Sequence, residues 1–187
     1  MVNHPKNSLA IFILIVLVLL TLFVVLPLFG YSVFSFNFSP KYSEQESLSK
    51  LNIIQQKYNA INSYPTNQSD LELYINESTE LLGNSSGNAA KIINIDVESA
   101  TAFYHLLRAD NESTPLVLGN CDKILLANSR AYANESILHS NKALTLLNTI
   151  NLEQANFLRQ NQKQIIENYK QIASNLKVLI NDNCGTA

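Results

Sequence analysis

The side chains that could do chemistry are few and scattered. The histidines are His4, His105 and His139. His4 precedes a long apolar run. His105 and His139 fall on different helical segments, and neither is read with a Cys, Asp or Glu at ligand spacing. Two imidazoles alone leave a metal ion short of ligands, so no metal or other cofactor is expected. The chain lacks an H-E-x-x-H helix, a C-x-x-C pair, a G-x-S-x-G elbow and a phosphate-binding glycine loop, the short patterns that place nucleophiles, metals or phosphates. Glu77 with Glu80, and Asp96 with Glu98, read as solvated helix charges rather than paired general acids and bases. No residue takes a catalytic role, and no enzyme is expected.

Two residue types carry more information. The only cysteines are Cys121 and Cys184. Their midpoint lies near residue 152, beside the turn signal Asn148-Thr149-Ile150-Asn151, so an antiparallel helical hairpin closing there would bring them together at its open end. In an oxidising compartment they form a disulfide. The second type is asparagine, with 24 residues. Six stand in N-x-S/T sequons: Asn37, Asn67, Asn76, Asn84, Asn111 and Asn134. The motif marks acceptor sites on a protein exposed outside the cytoplasm. Asn67 and Asn84, beside turns, are the best placed, with Asn76, Asn111 and Asn134 behind them. Asn37 is the poorest.

The elements that must position these residues divide the chain in two. Overall it is 47% hydrophobic with a mean hydropathy of +0.03. Much of the apolar excess lies in one stretch, Leu9 to Leu28, which reads LAIFILIVLVLLTLFVVLPL. Twenty helical residues span about 30 Å, the thickness of the hydrocarbon core of a bilayer. A cleavable leader would have a shorter apolar core and a small-x-small cleavage site, so residues 9–29 read as an uncleaved transmembrane signal anchor held in the lipid bilayer. Lys6 and the amino terminus precede the span, and the next charge is Lys41. The positive-inside rule then puts residues 1–8 in the cytoplasm and the C-terminal part outside the cell membrane. Residues 30–42, with Tyr31, Phe34, Phe36, Phe38 and Tyr42, read as an aromatic juxtamembrane linker. The alternation Phe34 to Ser39 also suits a short strand.

Residues 43–187 read as an extracytoplasmic all-α bundle of about five helices ending in a long disulfide-linked hairpin. Ser43 and Glu46 fit a capping box, followed by Leu48, Leu51, Ile54, Tyr58 and Ile61 on one stripe until Pro65. Ser69-Asp70-Leu71-Glu72 opens a second helix that runs to Gly83. A third runs from Asn88 to Ala109 through Ile92, Ile93, Asp96, Ala100, Phe103 and Leu107, and Asp110 to Ser113 reads as a loop. The fourth starts at Thr114-Pro115 or at Asn120 and reaches Asn148, with Leu126, Ala133, Ile137, Ser140, Leu144 and Leu147 on its inner face. The fifth covers 152–182. Its Leu158, Ile165, Ile172 and Leu179 recur every seven residues, a coiled-coil-like period. Lys163, Lys170 and Lys177 read as a solvent face, and Tyr58, Tyr74, Tyr104 and Tyr169 as core.

Only 15% of residues are charged, against about 25% in ordinary soluble domains. The net charge of −2 offers no attraction for nucleic acid. The expected function is a non-enzymatic structural or protein-interaction module at the cell envelope, with an envelope or membrane protein as partner. The alternative is an extracytoplasmic small-ligand or sensor domain that works with a separate transmembrane partner. A buried polar cavity would favour the alternative, and a filled core with an apolar outer patch would favour the module.

Overall fold

A computed structural model describes residues 40–151 and 156–185. Among these residues there are five helices and no strands: α1 Glu44–Lys57, α2 Gln68–Gly83, α3 Gly87–Val117, α4 Lys123–Leu147 and α5 Gln162–Cys184. No helix among the described residues is long and apolar enough to cross a membrane. The span at 9–29 and the aromatic stretch through Ser39, with its strand-like alternation, lie outside them.

The central element is α3, which touches the other four helices. At 31 residues it is about 46 Å long. Its first half is buried almost all round, at Ala89, Ile92, Ile93, Ile95, Asp96, Val97, Ser99, Ala100 and Ala102, as befits a helix covered on every side. There α1 and α2 form one wall, with Leu51 and Leu81 packed on Ile92, Ile93 and Val97. Its second half packs against the α4–α5 hairpin, where Ala109 and Leu116 meet Leu126, Ala133, Leu176 and Ile180.

The inner face of α4 is made of small residues. Ser129, Ala133, Ser136, Ser140 and Ala143 are all buried behind Leu126. Such side chains let two backbones approach closely, and the Ser129 hydroxyl donates to the Ala109 carbonyl of α3 at 3.0 Å. Ile137, Leu144 and Leu147, expected on that inner face, are only half-buried.

Four boundaries differ from the sequence reading, each for a local reason. First, α1 stops at Lys57 rather than near Pro65. Asn59 adopts φ 53°, its N–H bonds the Gln56 carbonyl, and the Ala60 N–H bonds that of Gln55. This is a Schellman termination with Asn in the left-handed position. Second, the cap of α2 is Asn67, whose side chain accepts from the Ser69 N–H at 2.9 Å, not Ser69. Third, α3 runs through Asp110 to Ser113 and holds Pro115 in its last turn. Ala109, Ser113 and Leu116 are buried at helical spacing, and that burial outweighs the missing proline amide. Thus α4 begins at Lys123, behind an Asp122 cap that accepts from the Ile124 and Leu125 amides. Fourth, α5 begins at Gln162, so Leu158 lies ahead of it and packs on the Leu51/Leu81 cluster.

The hairpin itself is present. Cys121 precedes α4, Cys184 ends α5, and a disulfide joins them with Cα atoms 5.4 Å apart. The start of α4 therefore lies beside the end of α5, as equal distances from the turn require.

Candidate functional site

Three features could carry function: a buried ionic centre, a pair of histidines between α3 and α4, and an apolar stripe on α5.

The ionic centre begins with Asp96, the one acid on the apolar stripe of α3. It is 1% exposed and faces Arg159, which is 2% exposed. The solvated reading of Asp96 is thereby corrected. An acid placed among Ile92, Ile93, Ile95 and Val97 is carried into the core with them and needs a cation there. Arg159 reaches it from the irregular segment ahead of α5. Its Nη1 bonds Asp96 Oδ1. Nε and Nη2 both donate to the Ala60 carbonyl, at 2.9 and 2.5 Å, and Nη2 also donates to the Tyr74 hydroxyl at 3.1 Å. The guanidinium lies 3.8 Å from the ring centroid of Tyr64, a cation–π placement that suits a planar, weakly hydrated cation. Tyr64 donates to Asp96 Oδ1 and Tyr74 to Oδ2, while Gln162 Nε2 donates to the Tyr64 hydroxyl at 3.3 Å.

The electrostatics follow the burial. Loss of water pushes the Tyr64 and Tyr74 hydroxyls well above the usual tyrosine range, and Asp96 beside them adds to it. Tyr169, stacked on Phe103 at 5.0 Å, is pushed up to about 12 by burial, against the pull of Arg159. Burial opposes the charge on Arg159, but Tyr64, Asp96 and Tyr74 outweigh it and hold the group above its ordinary range. Every strong contact of the guanidinium is internal, so the centre works as a tie between α3, the Ala60–Tyr64 segment, α2 and the approach to α5. The acid stands on the apolar stripe of α3 in the sequence, whereas Arg159 is not legible there, because the pattern of 152–182 reads as one helix and hides the irregular segment that carries it.

The histidines come together. The rings of His105 on α3 and His139 on α4 stack at 5.5 Å with planes 15° apart. His139 Nδ1 lies 2.5 Å from Glu98 Oε2, and its Nε2 lies 3.8 Å from Glu135 Oε2. The expectation that neither histidine has an acid at ligand spacing is therefore corrected. Glu135 stands four residues before His139, one turn away on the same face. Glu98 is not simply solvated but engaged with His139. Burial, then the neighbouring His139, pushes the His105 imidazole below its ordinary pKa. Elsewhere, Glu77 accepts from Lys57 at 2.5 Å and from the Tyr58 hydroxyl at 2.7 Å. The Lys57 bond is the main cause of its lowered pKa.

The α5 stripe is the third feature. The buried face of α5 is Gln162, Ile166, Ala173, Leu176 and Ile180. The heptad residues are not on it. Ile172 is 52% exposed, Leu179 43% and the adjoining Val178 58%, and together with Asn175, Leu176 and Asp182 they line a shallow open groove. The period was legible, but not the side it faces: the stripe of Ile172 and Leu179 lies about a quarter-turn from the packed face.

Of the sequons, Asn67, Asn76, Asn111 and Asn134 are exposed. Asn67 caps α2 through its side-chain oxygen. The Asn84 amide nitrogen donates to the Glu80 carbonyl at 2.8 Å, so the atom a glycan would occupy is engaged in the folded chain. Asn37 lies outside the described residues. No protein-family model, curated protein or solved structure matches the chain.

Proposed function

We propose that the chain is a non-enzymatic, membrane-anchored module whose last helix receives a helix of another protein anchored in the same envelope membrane. The observation that carries this reading is the aliphatic stripe on α5, with Ile172 and Leu179 exposed and the half-buried Ile165 seven residues before them. A seven-residue period is kept on one face when a neighbouring helix supercoils against it. No element among the described residues covers Ile172 or Leu179, and in this proposal that neighbour comes from another chain. The outer edge of the stripe carries the amides Gln171 and Asn175, bonded to each other at 2.8 Å, with Asn168 in line with them and one charge, Asp182, at its end. Amide edges can be desolvated at far lower cost than charged ones. Anchoring follows from the apolar span at residues 9–29, which would hold this helix and its partner in one membrane and raise their effective concentration. The ionic centre supports an interaction module over a ligand-binding domain, because Arg159 spends its donors on internal acceptors.

The test is site-specific photocrosslinking of the full chain in its native membrane, with the probe at position 172, 179 or, as a control, the exposed Lys163. One membrane protein should dominate the adducts from 172 and 179 and be absent from 163. The double substitution Ile172→Glu, Leu179→Glu should abolish them while helicity and the disulfide persist. Adducts to another copy of the chain would replace the partner by a second copy. Equal, diffuse labelling from all three positions would sink the reading.

A further inference from the structure

The geometry points to a transition-metal site between α3 and α4, formed by His105, Glu135 and His139, that takes a borderline divalent cation such as Zn2+. The three residues offer ligand atoms that all lie within 4.8 Å of one another. Two imidazoles and one carboxylate are a donor set such ions accept, with a fourth position left for water. The site does not depend on the interaction face of α5.

Three observations set this group apart from a chance meeting of polar side chains. The first is the placement of His139. Glu98 engages its Nδ1 at 2.5 Å, and an imidazole that gives its Nδ1 proton to a carboxylate presents the Nε2 lone pair to a metal, the usual outer arrangement of a metal-bound histidine. That Nε2 faces Glu135. The second is His105. Its Nδ1 is buried with no hydrogen-bond partner among the described residues, a desolvated acceptor or donor that a structural role alone would leave at a cost. The third is access. His105 and His139 are half-buried and Glu135 is exposed, so an ion has a route in and the third ligand has room to close.

Closing is needed. Ligands around tetrahedral Zn2+ sit about 3.3 Å apart, given metal–ligand bonds near 2.0–2.1 Å. Glu135, exposed and already 3.8 Å from His139 Nε2, closes its part of that difference by changing rotamer, and rotation of the half-buried His105 and His139 rings closes the rest. One nearby charge opposes a cation. Arg108, three residues on from His105, has its guanidinium turned to the Tyr132 hydroxyl and lies 4.1 Å from that ring centroid. The two acids, Glu98 and Glu135, outnumber it.

The experiment uses the full chain, without an affinity tag, in detergent micelles after removal of metals with a chelator. Zn2+ binding is followed by calorimetry and by metal analysis after equilibrium dialysis, with His4→Ala as a control for the remaining histidine. One Zn2+ per chain should bind, with His4→Ala unchanged. His105→Ala and His139→Ala should each weaken binding at least 100-fold. Glu98→Gln should keep the stoichiometry but weaken it about 10- to 100-fold, the range seen when an outer partner of a ligand is lost. Far-ultraviolet circular dichroism and the intact disulfide check the fold of each variant. Co2+ supplies a readout on the unaltered chain: the intense visible bands of a low-coordinate ion should appear and be displaced by Zn2+. A Co2+ spectrum no different from the hydrated ion, or Zn2+ affinity unchanged when both histidines are removed, overturns the site.

Discussion

At the residue scale the molecule rests on one buried exchange of charge. Taking a carboxylate and a guanidinium out of water costs several kcal/mol each, and only close contact with further hydrogen bonds recovers it. Here Asp96 and Arg159 meet, two tyrosines fill the remaining carboxylate positions and the Ala60 carbonyl fills the guanidinium edge. The pair is thus better described as specifying the fold than as adding net stability. Removing one member leaves the other charged and buried. Arg159→Ala should cost about 3–5 kcal/mol, read as a fall in the urea midpoint of the full chain, and a loss below about 1 kcal/mol would show that water reaches Asp96. The tyrosines make a second expectation. Tyr64, Tyr74 and Tyr169 have folded pKa values above that of an unfolded tyrosine near 10. Between those values the unfolded chain has lost protons that the folded chain keeps. Stability is therefore full below pH 10 and falls as pH rises beyond it. Tyrosinate absorbance should rise in two stages, exposed rings first, the second stage coinciding with loss of helical ellipticity. A single smooth titration centred near 10 with ellipticity intact would contradict this. Tyr169→Phe should move the second stage to higher pH.

At the element scale, what was legible in the sequence was whatever the chain encodes locally. The Ser43 cap of α1, accepting from Glu46 at 3.3 Å, the three-residue linker before α3 and the Cys121–Cys184 pairing all follow from short-range chemistry and counting. What escaped were competitions settled by tertiary packing. Pro65 was an obvious stop for α1, but Asn59 stops it sooner because the turn brings the Ala60 carbonyl to Arg159 and Tyr64 to Asp96. Gly87 shows the same dependence. It adopts φ 61°, and a Cβ there would meet Glu44 Oε1 at 1.9 Å, the atom that caps α3 by accepting from the Asn88 N–H at 2.7 Å. The carboxylate that begins α1 thus caps a helix 44 residues later, and no local pattern announces it. The histidine group is half legible: the four-residue step from Glu135 to His139 stands in the sequence. The register of α3 on α4 that brings in His105 comes from small residues such as Ser129 and Ala133, whose fit has no sequence period of its own. For α5 the heptad was legible but its facing was not, because periodicity says that a stripe is apolar and not which of two stripes turns inward.

At the scale of the whole molecule, α5 is fastened at both ends by different means. At its start, Arg159 and Gln162 reach the ionic centre. At its end, the disulfide binds Cys184 to Cys121, and Arg130 on α4 donates to Asn181 Oδ1 at 2.8 Å and to the Gly185 carbonyl at 2.6 Å. Between them lie 23 residues, a helix of about 34 Å, which must stay straight to present Ile172 and Leu179 in line. The covalent end acts mainly on the unfolded chain. Joining residues 63 apart in sequence removes loop entropy worth about 4 kcal/mol on the chain-entropy account. Cys121→Ser with Cys184→Ser should therefore lower the melting temperature of the full chain by on the order of 10 °C for a domain of this size. The local consequence should be confined. Amides of the last two turns of α5 should exchange with solvent faster, while those near Ile166 keep their protection, because the Ala109/Leu126/Ile180 cluster is separate from the Tyr64/Tyr74 cluster. The two fastenings share no partner, so combining the cysteine substitutions with Arg159→Ala should give a loss within about 0.5 kcal/mol of the sum of the separate losses. A combined loss far smaller than the sum, with protection falling along all of α5, would instead mean that the helix docks as one cooperative unit and that loss of either fastening alone already unseats it.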